Sequence, residues 1–149
     1  MTYTHVLAAV DLSEESIQVL EKAQEVARND AARLSVITVV KPLTQLYGGL
    51  DMAPVASGAI SFEEEALKRA LSHLTDLGAR YGVAEQDIHV VLGAPALEIR
   101  ESSREFAADL IVIGTHGRHG LGLLLGSTAN GVLNGVDCDV LAVRVSFAE

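Results

Sequence analysis

Asp11 and the stretch IVIGTHGRHGLGLLLGST, residues 111–128, hold the residue types through which this chain could do chemistry. An apolar run ends at Ile113, and glycines follow at positions 114, 117, 120, 122 and 126, before the adjacent hydroxyls of Ser127 and Thr128. Glycine suits tight turns and the close approach of backbone to another group. Gly114 and Gly117 can expose backbone N–H groups, while Gly126, Ser127 and Thr128 can open a helix whose N-terminus attracts an anion. His116, Arg118 and His119 add donors or positive charge. Together these residues suit phosphate. The plain alternative is a strand-to-helix loop with Ser127 as its N-cap.

Several more specific chemistries fail on spacing. The stretch has no lysine and so no G-x-x-x-x-G-K-[ST] pattern, and Gly120 and Gly122 supply only part of G-x-G-x-x-G. His116 and His119 stand three apart, but no carboxylate or thiol accompanies them, so no metal site is assigned. The single cysteine, Cys138, excludes an internal disulfide and a multi-thiolate site, and reads as a small buried hydrophobe. His5, His73 and His89 have no sequence neighbours that suggest chemistry. No serine lies in G-x-S-x-G or beside an evident base, so no catalytic residue is assigned. Asp11 keeps two readings: an acceptor for ribose hydroxyls or holder of a divalent ion, and a cap for the helix that starts near Ser13.

These residues need elements to position them. Five apolar runs, Val6–Val10, Leu34–Val40, Ile88–Leu92, Leu110–Ile113 and Val140–Val145, are mostly continuous, as strands covered on both faces must be. Between them lie helical patterns. Ser13 is placed to cap a helix whose inner stripe is Ile17, Leu20, Ala23 and Ala27. Ser61 and Glu64 have capping-box spacing ahead of Ala66, Leu67, Ala70, Leu71, Leu74 and Leu77. Pro95 suits a first turn before Ala96, Ile99, Ser103, Phe106 and Ala107, and a last short helix spans about 127 to 134. Residues 41–60 read as one long loop. The alternation calls for a doubly wound α/β sheet, in which ligands sit beyond the carboxyl ends of the strands. If the first and fourth strands are neighbours, Asp11 and Gly114 face one crevice.

Composition narrows the partners. The 149 residues suffice for one domain with a real core, and 49% are hydrophobic against 21% charged. With 4% aromatics and no Trp, that core rests on Leu, Val, Ile and Ala. A net charge of −9 argues against a nucleic-acid or anionic-membrane surface, and any phosphate site must work through local donors. The run Val6–Val10 stops at Asp11, too short for a signal segment, and no window approaches a membrane span. The expectation is a cytoplasmic protein without membrane insertion.

The segments HVLAAVDLSEES, DLIVIGTHGRHGLGLLLGSTANGVL and CDVLAVRV resemble the universal stress protein A family, in its nucleotide-binding branch. The resemblance implies one Rossmann-like nucleotide-binding domain over residues 1–149. Its fold would be a five-stranded parallel sheet in the order 3-2-1-4-5 with four flanking helices. The branch carries G-x2-G-x9-G-[ST], which Gly114, Gly117 and Gly126-Ser127 match. Here eight residues, Arg118 to Leu125, separate Gly117 from Gly126, which leaves ATP versus AMP open. By resemblance Ala9, Val10, Asp11 and Val39 surround the adenosine and Ile113 lines its base or ribose. Gly114, His116, Gly117, Arg118, His119, Gly126, Ser127 and Thr128 would then cradle the phosphates, with any Mg²⁺ held through those phosphates.

The function so implied is a stress-response protein that binds ATP or AMP as a regulatory or interaction module. A slow ATP hydrolase or nucleotidyl transferase on the same fold is the alternative, and a ligand-free dimeric interaction protein is a third reading. Val140–Val145, interrupted only by Arg144, would lie at a sheet edge. The family pattern pairs that strand antiparallel in a homodimer.

Overall fold

A computed structural model describes residues 2–42, 56–115 and 126–146. Its elements alternate: β1 (His5–Ala9), α1 (Ser16–Asp30), β2 (Arg33–Val40), α2 (Ala56–Arg80), β3 (Ile88–Leu92), α3 (Pro95–Glu105), β4 (Leu110–Gly114), α4 (Ser127–Leu133) and β5 (Asp139–Val143). A short 3-10 turn, Glu85–Asp87, leads into β3. The five strands form one parallel sheet in the order β3-β2-β1-β4-β5.

Alternate side chains send each central strand into both layers. Val6 and Ala8 of β1, with Leu110 and Val112 of β4, pack under Val19, Leu20, Ala23 and Ala27 of α1 and Leu74 and Leu77 of α2. Leu7, Ala9, Ile111 and Ile113 point the other way, against Ile99 of α3 and Ala129 and Val132 of α4. Every residue of β1 is buried. This is the two-sided burial that a continuous apolar run implies.

The two ends of the sheet differ in chemistry. At the amino end, Asp109 accepts hydrogen bonds from the backbone N–H groups of Thr4 at 2.9 Å and His5 at 3.0 Å, tying β1 to β4. His5 is buried, with Nδ1 3.0 Å from the Phe106 carbonyl and Nε2 2.7 Å from Ser35 Oγ. A carbonyl only accepts, so Nδ1 carries a hydrogen. Asp87, itself buried, accepts from Ser35 Oγ at 3.1 Å and pairs with Arg33 at 2.6 Å. His5, which has no suggestive neighbour in the sequence, is thus one member of a polar cluster that fastens β1, β2 and the segment after α3.

Several boundaries depart from the sequence reading. Helix α2 begins at Ala56, so Ser61 lies inside it rather than at its N-cap, and residues 56–60, expected in the 41–60 loop, are helical. Ala56, Ala59 and Ile60 are compatible with helix, and one glycine costs only about 1 kcal/mol, so extending a nucleated helix is favourable. Leu71, placed in the inner stripe of α2 by spacing, is exposed. Helix α1 begins at Ser16, with Glu15 as its N-cap and no side-chain capping bond, so Ser13 is not its cap. Helix α4 likewise starts behind Gly126, leaving Ser127 as its first residue rather than its cap. Strand β5 ends at Val143, and Val145, expected within the strand, is buried in the α1 layer.

Three helices end in the same way. After α1, α2 and α3 the chain turns through a left-handed residue, Ala31 (φ 53°), Gly82 (φ 74°) and Ala107 (φ 55°). In each case two backbone N–H groups fold back on the last helical turn; for α3, Ala107 donates to Arg104 at 3.2 Å and Ala108 to Ser103 at 2.9 Å. Ala107 is therefore an exposed terminator, not the inner-stripe residue that spacing suggests. Alanine pays a steric penalty in this conformation that glycine escapes. Relief of about 1–2 kcal/mol, less the greater chain entropy of glycine, gives Ala107→Gly an expected net stabilisation of about 0.5–1 kcal/mol. Equilibrium urea denaturation checks this; a less stable variant contradicts the left-handed cap.

Candidate functional site

The sheet order makes β1 and β4 neighbours while α1 and α4 leave them on opposite faces. Beyond their carboxyl ends the chain parts, and a cleft of about 640 Å³ opens there. Its size falls within the usual range for small-molecule sites. Ala9, Val10 and Asp11 approach from β1, Val39 from β2, Ile113 and Gly114 from β4, and Gly126, Ser127 and Thr128 from the start of α4. Nine of the sequence-assigned site residues thus line one cleft. The other four, His116, Gly117, Arg118 and His119, lie outside the described residues.

Further lining residues escaped the sequence reading. Lys41 stands two residues beyond Val39, past the end of β2, and is the only Lys or Arg among the described lining residues. Ile37, Pro95 and Ile99 add an apolar wall with Val39 and Ile113, while Ser13, Glu15 and Ser16 line the opposite side. The alternation of two along β2 could have pointed to Lys41 once Val39 was placed. No local pattern could have found Pro95 or Ile99, which reach the cleft only through the packing of α3.

That packing is close. Gly131 of α4 faces Ala96 of α3 so tightly that a Cβ on Gly131 would stand 2.5 Å from the Ala96 Cβ. Arg100 Nη1 also donates to the Gly131 carbonyl at 2.9 Å. These contacts hold the N-terminus of α4 at the cleft. The Gly126 N–H, expected to face a ligand, donates instead to the Thr115 carbonyl. In the first turn of α4, the N–H groups of Ser127, Thr128 and Ala129 have no acceptor within the helix. At Gly126 φ is −62° and ψ 157°, an ordinary extended conformation, so its dihedral angles do not demand glycine.

Asp11 sits at the turn from β1 into α1. Its Oδ1 accepts from Ser13 N at 3.0 Å, Ser13 Oγ at 2.6 Å and Ser16 Oγ at 2.6 Å. Its own N–H donates to Ser16 Oγ at 3.1 Å. Between Asp11 and Ser13, Leu12 is left-handed with φ 65°, a strained state for a residue with a Cβ. Asp11 therefore does not cap α1, whose N-cap is Glu15; its carboxylate fastens the turn that precedes the helix. Partial burial, the largest influence, pushes the Asp11 carboxyl up. The hydrogen bonds from the Ser13 and Ser16 hydroxyls and from backbone N–H groups together outweigh it and hold the carboxyl below the usual range.

Elsewhere, Cys138 is half-buried against the α3–α4 layer. Burial first, then the nearby Asp139, Asp109 and Asp137 charges, push its thiol up, so it is no activated nucleophile. Among the described residues, no group of three or more His, Cys, Asp and Glu side chains is placed to hold a metal ion. Among the same residues, no helix is long and apolar enough to cross a membrane.

Known proteins share this architecture. The universal stress protein family model matches residues 2–144. Universal stress protein A homolog 1 of Coxiella burnetii is 39% identical over 143 residues, 96% of this chain and 97% of that protein. The solved structure of universal stress protein UspA from Lactobacillus plantarum has the same fold, with a TM-score of 0.72 at 23% identity, over 97% of this chain and 99% of that one. A universal stress protein crystallised in complex with cAMP gives a TM-score of 0.63 at 27% identity, over 98% of this chain and 100% of that one.

The Asp11 cluster has a pH signature. A carboxyl that titrates lower folded than unfolded contributes stability above its unfolded value, and that contribution is lost as pH falls through the folded value. The stability advantage of wild type over Asp11→Asn should be present near neutral pH and shrink below about pH 4. Urea denaturation across that range tests it. An advantage that does not change with pH contradicts the hydrogen-bonded carboxylate.

Proposed function

The chain belongs to the universal stress protein family, and on that premise we propose that it binds an adenine nucleotide in this cleft and acts as a ligand-dependent regulatory or interaction module. The observation that carries the reading is the meeting of three chemistries in one cavity. Ile37, Val39, Ile113, Pro95 and Ile99 offer an apolar wall for a base, Asp11 an acceptor for ribose hydroxyls, and the first turn of α4 N–H groups that have no acceptor inside the helix, for an anion. A relative in complex with cAMP supports the ligand class. The absence of a dihedral requirement at Gly126 supports a second reason for glycine there, the close approach of a ligand.

Gly117, His116, Arg118 and His119 complete the phosphate side in this reading, and any Mg²⁺ enters with the phosphates. Lys41 adds positive charge to a cleft whose other charged lining residues, among those described, are Asp11 and Glu15. A monophosphate or triphosphate must be held against a net charge of −9, so local donors dominate binding.

Mass spectrometry of small molecules released from the denatured protein, followed by calorimetric titration of ATP, AMP and cAMP, tests the reading. Gly117→Val should abolish binding by blocking backbone approach, and Asp11→Ala should cost about 1–3 kcal/mol of affinity. Wild-type binding to both variants would place the site elsewhere. ATP with Mg²⁺ should not be turned over at ordinary enzyme rates of about 1 per second or faster. Sustained turnover at such a rate, removed by a cleft mutation, would replace the module with an enzyme.

The same reading includes a cytoplasmic homodimer through β5, the edge strand Asp139–Val143. The Val143 carbonyl accepts from Thr115 N at 2.9 Å, so in a parallel strand Val143 faces β4 and the N–H of Ala142 faces outward. Ala142 is exposed. Ala142→Pro thus removes an outward donor without breaking the β4 ladder, and should convert the dimer to monomer in light scattering at about 20 μM. A wild-type monomer sinks the dimer; a dimer indifferent to Ala142→Pro moves its interface off this edge.

A further inference from the structure

Ser16 is the first residue of α1 and is buried, with 4% of its surface exposed. Its hydroxyl accepts from the Asp11 N–H at 3.1 Å, donates to Asp11 Oδ1 at 2.6 Å and lies 3.4 Å from Ser13 Oγ. Ser13 adds two more donors to the same oxygen, from N at 3.0 Å and Oγ at 2.6 Å. Oδ1 is thereby fully engaged within the turn, and Asp11 Oδ2 accepts no hydrogen bond among the described residues. The side chain lines the cleft, so Oδ2 is the oxygen left for a ligand.

We propose that Ser16, with Ser13 in support, is a positioning residue for the nucleotide sugar, clamping Asp11 so that a single carboxylate oxygen is offered to a ribose hydroxyl. This inference rests on the nucleotide reading of the cleft and deepens it. Two consequences follow from the geometry. The carboxylate cannot straddle a vicinal diol with both oxygens, because Oδ1 already carries three donors. The strained Leu12 backbone, φ 65°, stays in place only while its neighbours fix it, and the Asp11–Ser16 pair spans that residue. Loss of the Ser16 hydroxyl leaves Oδ1 with only the two Ser13 donors, which loosens the carboxylate and makes the oriented acceptor more mobile. Binding then loses the pre-ordering of its acceptor.

The readout is sugar discrimination, which a merely structural role would not move. Wild type should bind AMP about tenfold more tightly than one of its two deoxy forms, 2′-deoxy or 3′-deoxy, and lose less than about threefold with the other. Ser16→Ala should weaken AMP by about three- to tenfold and bring all three affinities within about twofold of one another. Ser13→Ala, at a half-buried position outside the helix, should lie between the two and guards against a folding defect in Ser16→Ala. Adding Ser16→Ala to Asp11→Ala should weaken AMP no further, as a residue acting only through Asp11 requires. Titration calorimetry supplies all of these values. Equal weakening of AMP and both deoxy forms in Ser16→Ala, or an additive double variant, overturns the clamp while leaving the nucleotide site standing. No binding of AMP, ATP or cAMP by wild type overturns the nucleotide reading and the clamp with it.

Discussion

The pairing of β1 with β4 is the constraint on which the rest depends. Both strands are apolar on both faces, and their register, Val6 on Leu110 through Ala9 on Ile113, sets them side by side and parallel. Parallel neighbours cannot be joined by a tight turn, so each strand must hand the chain to a helix that covers a face. β1 hands it to α1 on one side, and the segment after β4 reaches α4 on the other. The cleft is the space left where the two paths diverge. It is a consequence of covering a central parallel pair on both sides.

The two ends of that pair are treated in opposite ways. At the amino end, Asp109, His5, Ser35, Asp87 and Arg33 bond to one another and to the backbone, leaving a closed polar seam. At the carboxyl end, among the described residues, polar capacity is left unspent on Asp11 Oδ2 and on the first-turn N–H groups of α4, beside a left-handed Leu12. Strained backbone persists only where its surroundings over-determine it. Here the Ser13 and Ser16 hydroxyls do so, and the tight Gly131–Ala96 contact fixes the facing helix. A stiff closed end and an ordered open end together hold the cleft in one shape, so that a ligand entering it would have less to order.

Charge gives the site a local character that the whole chain lacks. The protein carries −9, yet the cleft combines Asp11 and Glu15 with Lys41 and the N-terminus of a helix. Donors within a few ångströms outweigh distant surface charges that salt screens over about 8–10 Å.

Much of this was legible in the sequence because hydrophobic periodicity is a local signal. The five strands, the doubly wound class and the glycine-bearing exit from β4 follow from runs such as Leu110–Ile113, whose continuity needs cover on both sides. The resemblance adds the 3-2-1-4-5 order, and the end of the apolar run Val6–Val10 puts Asp11 at a strand end. Tertiary structure decided what depends on partners distant in sequence. Lys41, Pro95 and Ile99 join the cleft because β2 and α3 pack beside β1, and Val145 leaves the strand because the α1 layer offers it a buried place. Gly126 spends its N–H on Thr115, and Asp11 spends one oxygen on two serines, where composition alone showed only donors and acceptors. Sequence fixes which polar groups exist and roughly where each strand ends; only the folded chain determines which of those groups satisfy one another and which are left for a ligand.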